Sequence, residues 1–254
     1  MVTHYASKSK KSGFTLVELS IVMIIIGLLI GGILKGQELY NNAVIAKIAS
    51  GFTNSEVAVE SFYDMYKRNP GDMPNASDIW TGARNGNGDG FIDDESFNDP
   101  VLIEEGLVFQ HLSLSGFING NYTGMLDANG RWVPNSTGPG YDMGQGSYSL
   151  GWIGAAPNPT TWYGQSGHSF VYGKVQGRYP TGPLLSGMET RKLDQKIDDG
   201  NPTSGRLIAA SGGGPSACTE PNVSPASAVA GAAEYANFTG QNCTILYVLK
   251  FRQR

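Results

Sequence analysis

FTLVELSIVMIIIGLLIGGIL, running from Phe14 to Leu34, holds a single ionisable side chain, Glu18, in 21 residues. At the rise of an α-helix this run spans about 30 Å, the thickness of a bilayer's hydrocarbon core. Lys8, Lys10 and Lys11 precede it and a polar chain follows it. That asymmetry keeps the N-terminus cytoplasmic and sends the C-terminus outward. A secretory signal has a shorter apolar part and is cut after it. A plain membrane anchor fits the length but leaves Glu18 unexplained. A carboxylate at this depth costs about 3 kcal/mol in lipid unless it finds a partner, so Glu18 reads as functional.

Outward from this run, Tyr40, Val44, Ile48, Phe52, Val59, Phe62 and Tyr66 recur at helical steps, with Ser55 the weak position. They predict that the same helix continues to about Lys67 with an apolar, core-facing stripe. Asn69-Pro70-Gly71 ends it. Gly27/Gly31 and Gly32/Gly36 give two small-xxx-small spacings that allow close helix packing, although glycine is also common in membrane helices.

The string KKSGFTLVELSIVMIIIG, Lys10 to Gly27, resembles the leader and methylation site of type IV pilins and type II secretion pseudopilins. The resemblance implies that a prepilin peptidase cuts after Gly13 and methylates Phe14, which makes Glu18 the fifth residue of the mature chain. It implies an assembly role for Glu18, which neutralises the buried Phe14 amine of a neighbouring subunit, where an unpaired charge would be heavily penalised. It further implies residence in the bacterial inner membrane as a single-pass protein with its C-terminal domain in the periplasm. An inner-membrane assembly platform then packs the chain with like or related subunits into a pseudopilus or pilus, at the cell surface in the latter case. The partners are therefore pilin subunits, the peptidase, the platform and membrane lipid. No proline occurs before Pro70, whereas many major pilins carry one in this helix, which favours a minor or pseudopilin-like member. Patches of the soluble part, such as Asn69–Asn75 and Asp198–Pro202, resemble pseudopilin-like proteins less specifically.

The expected division is a leader (1–13), a membrane or filament-core helix (14–35), its amphipathic continuation (36–68) and a soluble head (69–254). The fold class is α+β: a long N-terminal helix packed on a small antiparallel sheet with long loops. The head contains many of the 35 glycines and 13 prolines. Apolar spacing predicts helices over 101–116 and 186–199. β-branched and aromatic content predicts strands at 148–153, 169–175, 205–210 and 244–251. Residues 134–167 read as a long glycine-rich loop. Cys218 and Cys243 read as one disulfide formed outside the cytoplasm, with two free core thiols as the alternative.

The stretch from Asn85 to Glu95, NGNGDGFIDDE, resembles the first part of an EF-hand loop. Asn85, Asn87 and Asp89 fall at the alternating ligand positions. Gly90 takes the turn, Phe91 offers its carbonyl, and Asp93 follows. Ser96 stands where that loop carries its bidentate glutamate, so Glu95 or Asp94 must substitute. Two readings stay open, a structural calcium site and an Asx-rich turn without metal. Asp194, Asp198 and Asp199 end a predicted helix and read as a solvated face.

The formal net charge is −4. Without residues 1–13, 15 basic and 22 acidic residues remain, and no basic face calls for nucleic acid. The three histidines are His4, His111 and His168. His111 reads as a structural helix residue. His168 stands beside Ser166 and Ser169 without a nucleophile elbow, and Gly167–Lys174 fails the P-loop spacing. The chain is not expected to be an enzyme or to need another cofactor. Two further functions remain open: a minor pilin at a fibre tip acting in adhesion or DNA uptake, and a solitary membrane-anchored binding protein.

Overall fold

The computed structural model describes residues 13, 15–93, 101–141, 146–153, 167–211, 218–220, 233–237 and 240–249. Two compact units, Met1–Val44 and Ile45–Arg254, divide the chain, with the boundary inside the first helix. That helix, α1, runs without a break from Leu16 to Tyr66, 51 residues. Lys67 takes a left-handed φ of 54° and Pro70 follows, which stops it where the sequence predicts. In the first unit the Leu16–Leu34 stretch is exposed throughout the isolated chain. It is long and apolar enough to cross a membrane, with a mean hydropathy of 2.6.

In the second unit α1 buries Ile45, Ile48, Ala49, Phe52, Ala58, Val59 and Phe62. The predicted stripe is thus core-facing from Ile48 onward. Tyr40, its expected first member, is 60% exposed. It lies in the first unit, so helical spacing alone overstates the length of the buried face.

The short α2 (Ala76–Ile79) and α3 (Glu104–Leu114) follow, then strands β1 (Gly140–Tyr141), β2 (Gly146–Ile153), β3 (Gly167–Gln176) and β4 (Tyr179–Gly182). Next come α4 (Gly187–Ile197), β5 (Leu207–Ser211), β6 (Thr219–Glu220), β7 (Glu234–Tyr235) and β8 (Cys243–Val248). The main sheet has the order β1-β2-β3-β8-β5, with β4 on β3. Every pair is antiparallel, and β6 and β7 form a separate ribbon. The fold is α+β, a long helix packed with a small antiparallel sheet.

Strand register explains the core. Tyr148, Tyr172, Ile245 and Ala209 stand opposite one another across β2, β3, β8 and β5. Leu150, Phe170, Tyr247 and Leu207 form the next such row on the same face, because side chains alternate with a period of two. Phe52 of α1 enters these rows, with its ring 4.9 Å from Tyr148 and 4.8 Å from Tyr247. The Tyr148 hydroxyl donates to the Ile48 carbonyl at 3.1 Å. Burying a phenylalanine of this kind contributes about 2–3 kcal/mol. A polar anchor sits beside it: Arg206 pairs with Glu56 of α1, and its Cζ lies 4.6 Å over the Tyr247 ring. The Tyr247 hydroxyl donates to the other Glu56 oxygen at 3.1 Å.

β8 is buried at every position, as a central strand covered on both faces must be. Its first residue, Cys243, is joined to Cys218 with a Cα–Cα distance of 4.9 Å, which resolves the two cysteine readings in favour of the disulfide. Helix α4 begins with a capping box between Ser186 and Glu189. The expected 134–167 loop contains β1, all of β2 and the first residue of β3, while residues 142–145 and 154–166 lie outside the described ones.

Candidate processing and assembly site

Gly13 is exposed at the head of α1, and Phe14 lies outside the described residues. Thr15 and Glu18 form a reciprocal pair. Glu18 Oε2 accepts from the Thr15 backbone N–H at 2.8 Å and from its hydroxyl at 2.9 Å. The Glu18 N–H donates to Thr15 Oγ1 at 3.2 Å. This is a capping box, which answers two orphan amides of the first turn and sets a carboxylate against the positive end of the helix. The letters Thr15-x-x-Glu18 carry this signal in the sequence, and a reading of Glu18 as a functional carboxylate alone misses it. Beyond this site, a Cβ at Gly27, Gly31, Gly32 or Gly36 would meet no atom of the described residues within 4 Å, open space of the kind close helix packing uses.

The 85–93 loop is held differently from an EF-hand. Asn85 Oδ1 accepts from the Ser77 N–H at 2.8 Å, and Asn87 Oδ1 accepts from the Asp89 N–H at 2.8 Å. Asp89 instead meets two buried acids from outside the motif, Asp72 and Glu104, with one oxygen of each within 4.8 Å of the others. Asp72 accepts from Gly88 N at 2.7 Å and Gly90 N at 3.0 Å. Glu104 accepts from Asn87 N at 2.7 Å and Asp93 N at 3.3 Å. Burial pushes Asp72 up to about 6 and Glu104 up to about 8, against the pull of these amides. The glycines serve the close approach: a Cβ at Gly86 would stand 2.2 Å from the Gly71 carbonyl, and Gly88 has a φ of 82°. Glu95 lies outside the described residues.

His111 is buried in α3, accepting from the Gly71 N–H at 2.9 Å on Nδ1 and meeting the Arg84 carbonyl at 2.8 Å on Nε2. Those partners fix the Nε2–H tautomer, and burial holds the ring down to about 4. His168 is buried against Trp152, with ring centroids 5.0 Å apart, and burial holds it down to about 4 as well. The Ser169 hydroxyl donates to the Gly167 carbonyl at 3.2 Å and is not positioned by an imidazole.

At the end of α4, Asp194, Asp198 and Asp199 bring one oxygen each within 4.8 Å of the others. Asp199 is exposed and Asp198 half-buried, as a solvated face requires, but Asp194 departs from that reading. Asp194 is fully buried because the Tyr235 hydroxyl, 41 residues on, donates to its Oδ2 at 2.8 Å and covers it. Among the described residues the head thus contains two acidic groups able to hold a metal ion.

Residues 8–34 match the family described as the prokaryotic N-terminal methylation motif. The chain carries the signal of type IV pilins and pseudopilins, and that signal belongs to structural subunits, not enzymes. Its geometry here is the capped head of a single N-terminal helix suited to membrane anchoring. No curated protein and no solved structure matches the chain.

Proposed function

We propose that this chain is a structural subunit of a type II secretion pseudopilus or a type IV pilus-like filament. The observation that carries the reading is a methylation motif whose Glu18 stands at the head of a 51-residue helix, followed by an apolar stretch that buries nothing against its own chain. In this reading a prepilin peptidase cuts after Gly13 and methylates Phe14. The product waits in the bacterial inner membrane with its C-terminal domain in the periplasm. The assembly platform then withdraws it, and Glu18 meets the Phe14 amine of a neighbouring subunit. Packing at Gly27, Gly31, Gly32 and Gly36 brings the helices together, and the head domains decorate the fibre. The disulfide between Cys218 and Cys243 supports an exported head. A structural calcium ion on one of its acidic groups also belongs to this reading, since oxygen-only ligands suit that hard cation.

The test is mass spectrometry of the N-terminal peptide after expression beside a prepilin peptidase. A chain beginning at N-methylated Phe14 is expected. An intact leader, or cleavage beyond Leu34, would sink the filament-subunit reading and leave an anchored or secreted binding domain.

A further inference from the structure

We propose that the C-terminal end of α4 is a calcium site formed by the carboxylates of Asp194, Asp198 and Asp199. It deepens the structural calcium of the proposed function and rests on that reading only for the exported compartment.

One carboxylate oxygen of Asp194 goes unanswered. Asp194 is fully buried, its Oδ2 is taken by Tyr235, and its Oδ1 has no hydrogen-bond partner. A buried carboxylate oxygen left bare costs free energy and calls for a ligand. The same carboxylate belongs to a set in which one oxygen from each of the three aspartates lies within 4.8 Å of the others. Calcium–oxygen distances of about 2.3–2.6 Å allow one ion to touch oxygens up to about 5 Å apart, so a single ion can reach all three.

Electrostatics points the same way. The C-terminal end of a helix is the negative end of its dipole, which disfavours three carboxylates gathered there. Among the described residues none of the three is ion-paired with a basic side chain. Arg206, on the loop that faces Asp198, has its guanidinium committed to Glu56 and to the Val248 carbonyl. The two outer carboxylates are held in place by the loop that follows α4. Asp198 Oδ2 accepts from the Arg206 N–H and, at 2.8 Å, from the Leu207 N–H, while Asp199 accepts from the Asn201 N–H and the Ser204 hydroxyl, both at 2.8 Å. A bound cation would therefore fasten α4, the 198–206 loop and Tyr235 of β7 at one point.

The other acidic group lacks the first of these features. Asp72 and Glu104 each accept backbone N–H groups on both oxygens, and neither leaves a buried oxygen without a donor. Peptide dipoles already do there what the ion would do at Asp194.

The experiment titrates chelator-stripped, detergent-solubilised full chain with terbium, exciting tyrosine and reading terbium luminescence, because Tyr235 is bonded to a ligand. Calcium is then added as competitor, and thermal unfolding is followed with calcium and with EDTA. The expected result is tyrosine-sensitised luminescence that calcium displaces, together with a higher midpoint in calcium. Asp199→Asn, at an exposed position that does not threaten folding, weakens binding at least tenfold, and Asp89→Asn leaves it within about twofold. The proposal is overturned if neither ion produces a signal or a shift. It is also overturned if Asp89→Asn abolishes binding while Asp199→Asn binds like the parent. N-terminal processing is read separately by mass, so failure here leaves the filament-subunit reading standing, and failure there leaves the metal result standing.

Discussion

Replacing Glu56 with glutamine probes how the head is fastened to α1. Glu56 and Arg206 keep only 12% and 19% of their side-chain surface exposed, and they are 150 residues apart in sequence. Glutamine preserves the shape but removes the charge, so the Arg206 guanidinium is left facing a neutral amide, the Tyr247 ring and the Val248 carbonyl at 3.2 Å. Breaking a fully buried ion pair from one side costs about 3–5 kcal/mol. The residual exposure lets water screen the pair, which brings the figure to about 2–3 kcal/mol. For a domain of this size that is a fall of about 5–10 °C in the unfolding midpoint.

The assay is equilibrium urea unfolding of the full chain in detergent, read by tryptophan fluorescence, for Glu56→Gln, Arg206→Met and the double variant. Each single change is expected to cost about 2–3 kcal/mol. The double is expected to cost less than the two together by about 2 kcal/mol, because removing both partners leaves no bare charge. Additive losses, or single losses below about 0.5 kcal/mol, would refute the argument and place this pair among ordinary surface ion pairs.

Three other outcomes are expected. His111 is held down to about 4, below its ordinary value of 6.5. Its unfolded form therefore takes up a proton before its folded form does, and stability falls with acid between those values; from pH 6.5 to 4.5 the loss is about 2 kcal/mol. The raised values of Asp72 and Glu104 act in the opposite sense, so the check is the difference in urea stability between the parent and His111→Gln at the two pH values; a constant difference would contradict it. Replacing both Cys218 and Cys243 with serine is expected to cost about 3 kcal/mol for a 25-residue separation, measured by non-reducing thermal unfolding. Gly106→Ala gains about 1 kcal/mol of helix propensity but places a Cβ 2.2 Å from the Gly124 carbonyl. The clash is expected to win, for a net loss of about 1–2 kcal/mol by the same assay.

Features whose cause is local were legible in the sequence. The hydropathy of Phe14–Leu34 and the three- and four-residue steps from Ile48 to Tyr66 determine α1, since a helix displays its periodicity within its own letters. Features made by distant partners were not. β4, β6 and β7 are two to four residues long and have no period to read; pairing alone makes them strands. The loop around Asp89 looks self-sufficient as a string, yet its amides go to Asp72 and Glu104, 16 and 17 residues away from the glycine and asparagine they hold. Asp194 reads as surface beside two further aspartates until Tyr235 covers it.

The capping box changes what Glu18 must do under the proposed assembly. In the single chain its Oε2 already answers Thr15 at an exposed helix start. Pairing with a neighbour's Phe14 amine is therefore an exchange of partners, not the rescue of a bare charge. In water the exchange gains little, because an exposed ion pair is worth about as much as the cap. Inside a packed bundle of apolar helices both the amine and the carboxylate lose their solvent, and an unpaired charge on either costs several kcal/mol. Under the proposed assembly the balance would tip toward the neighbour only when the apolar run that follows is already surrounded, and Glu18 would then act as a check on register during subunit addition. The same local geometry that starts the helix keeps the carboxylate quiet until then.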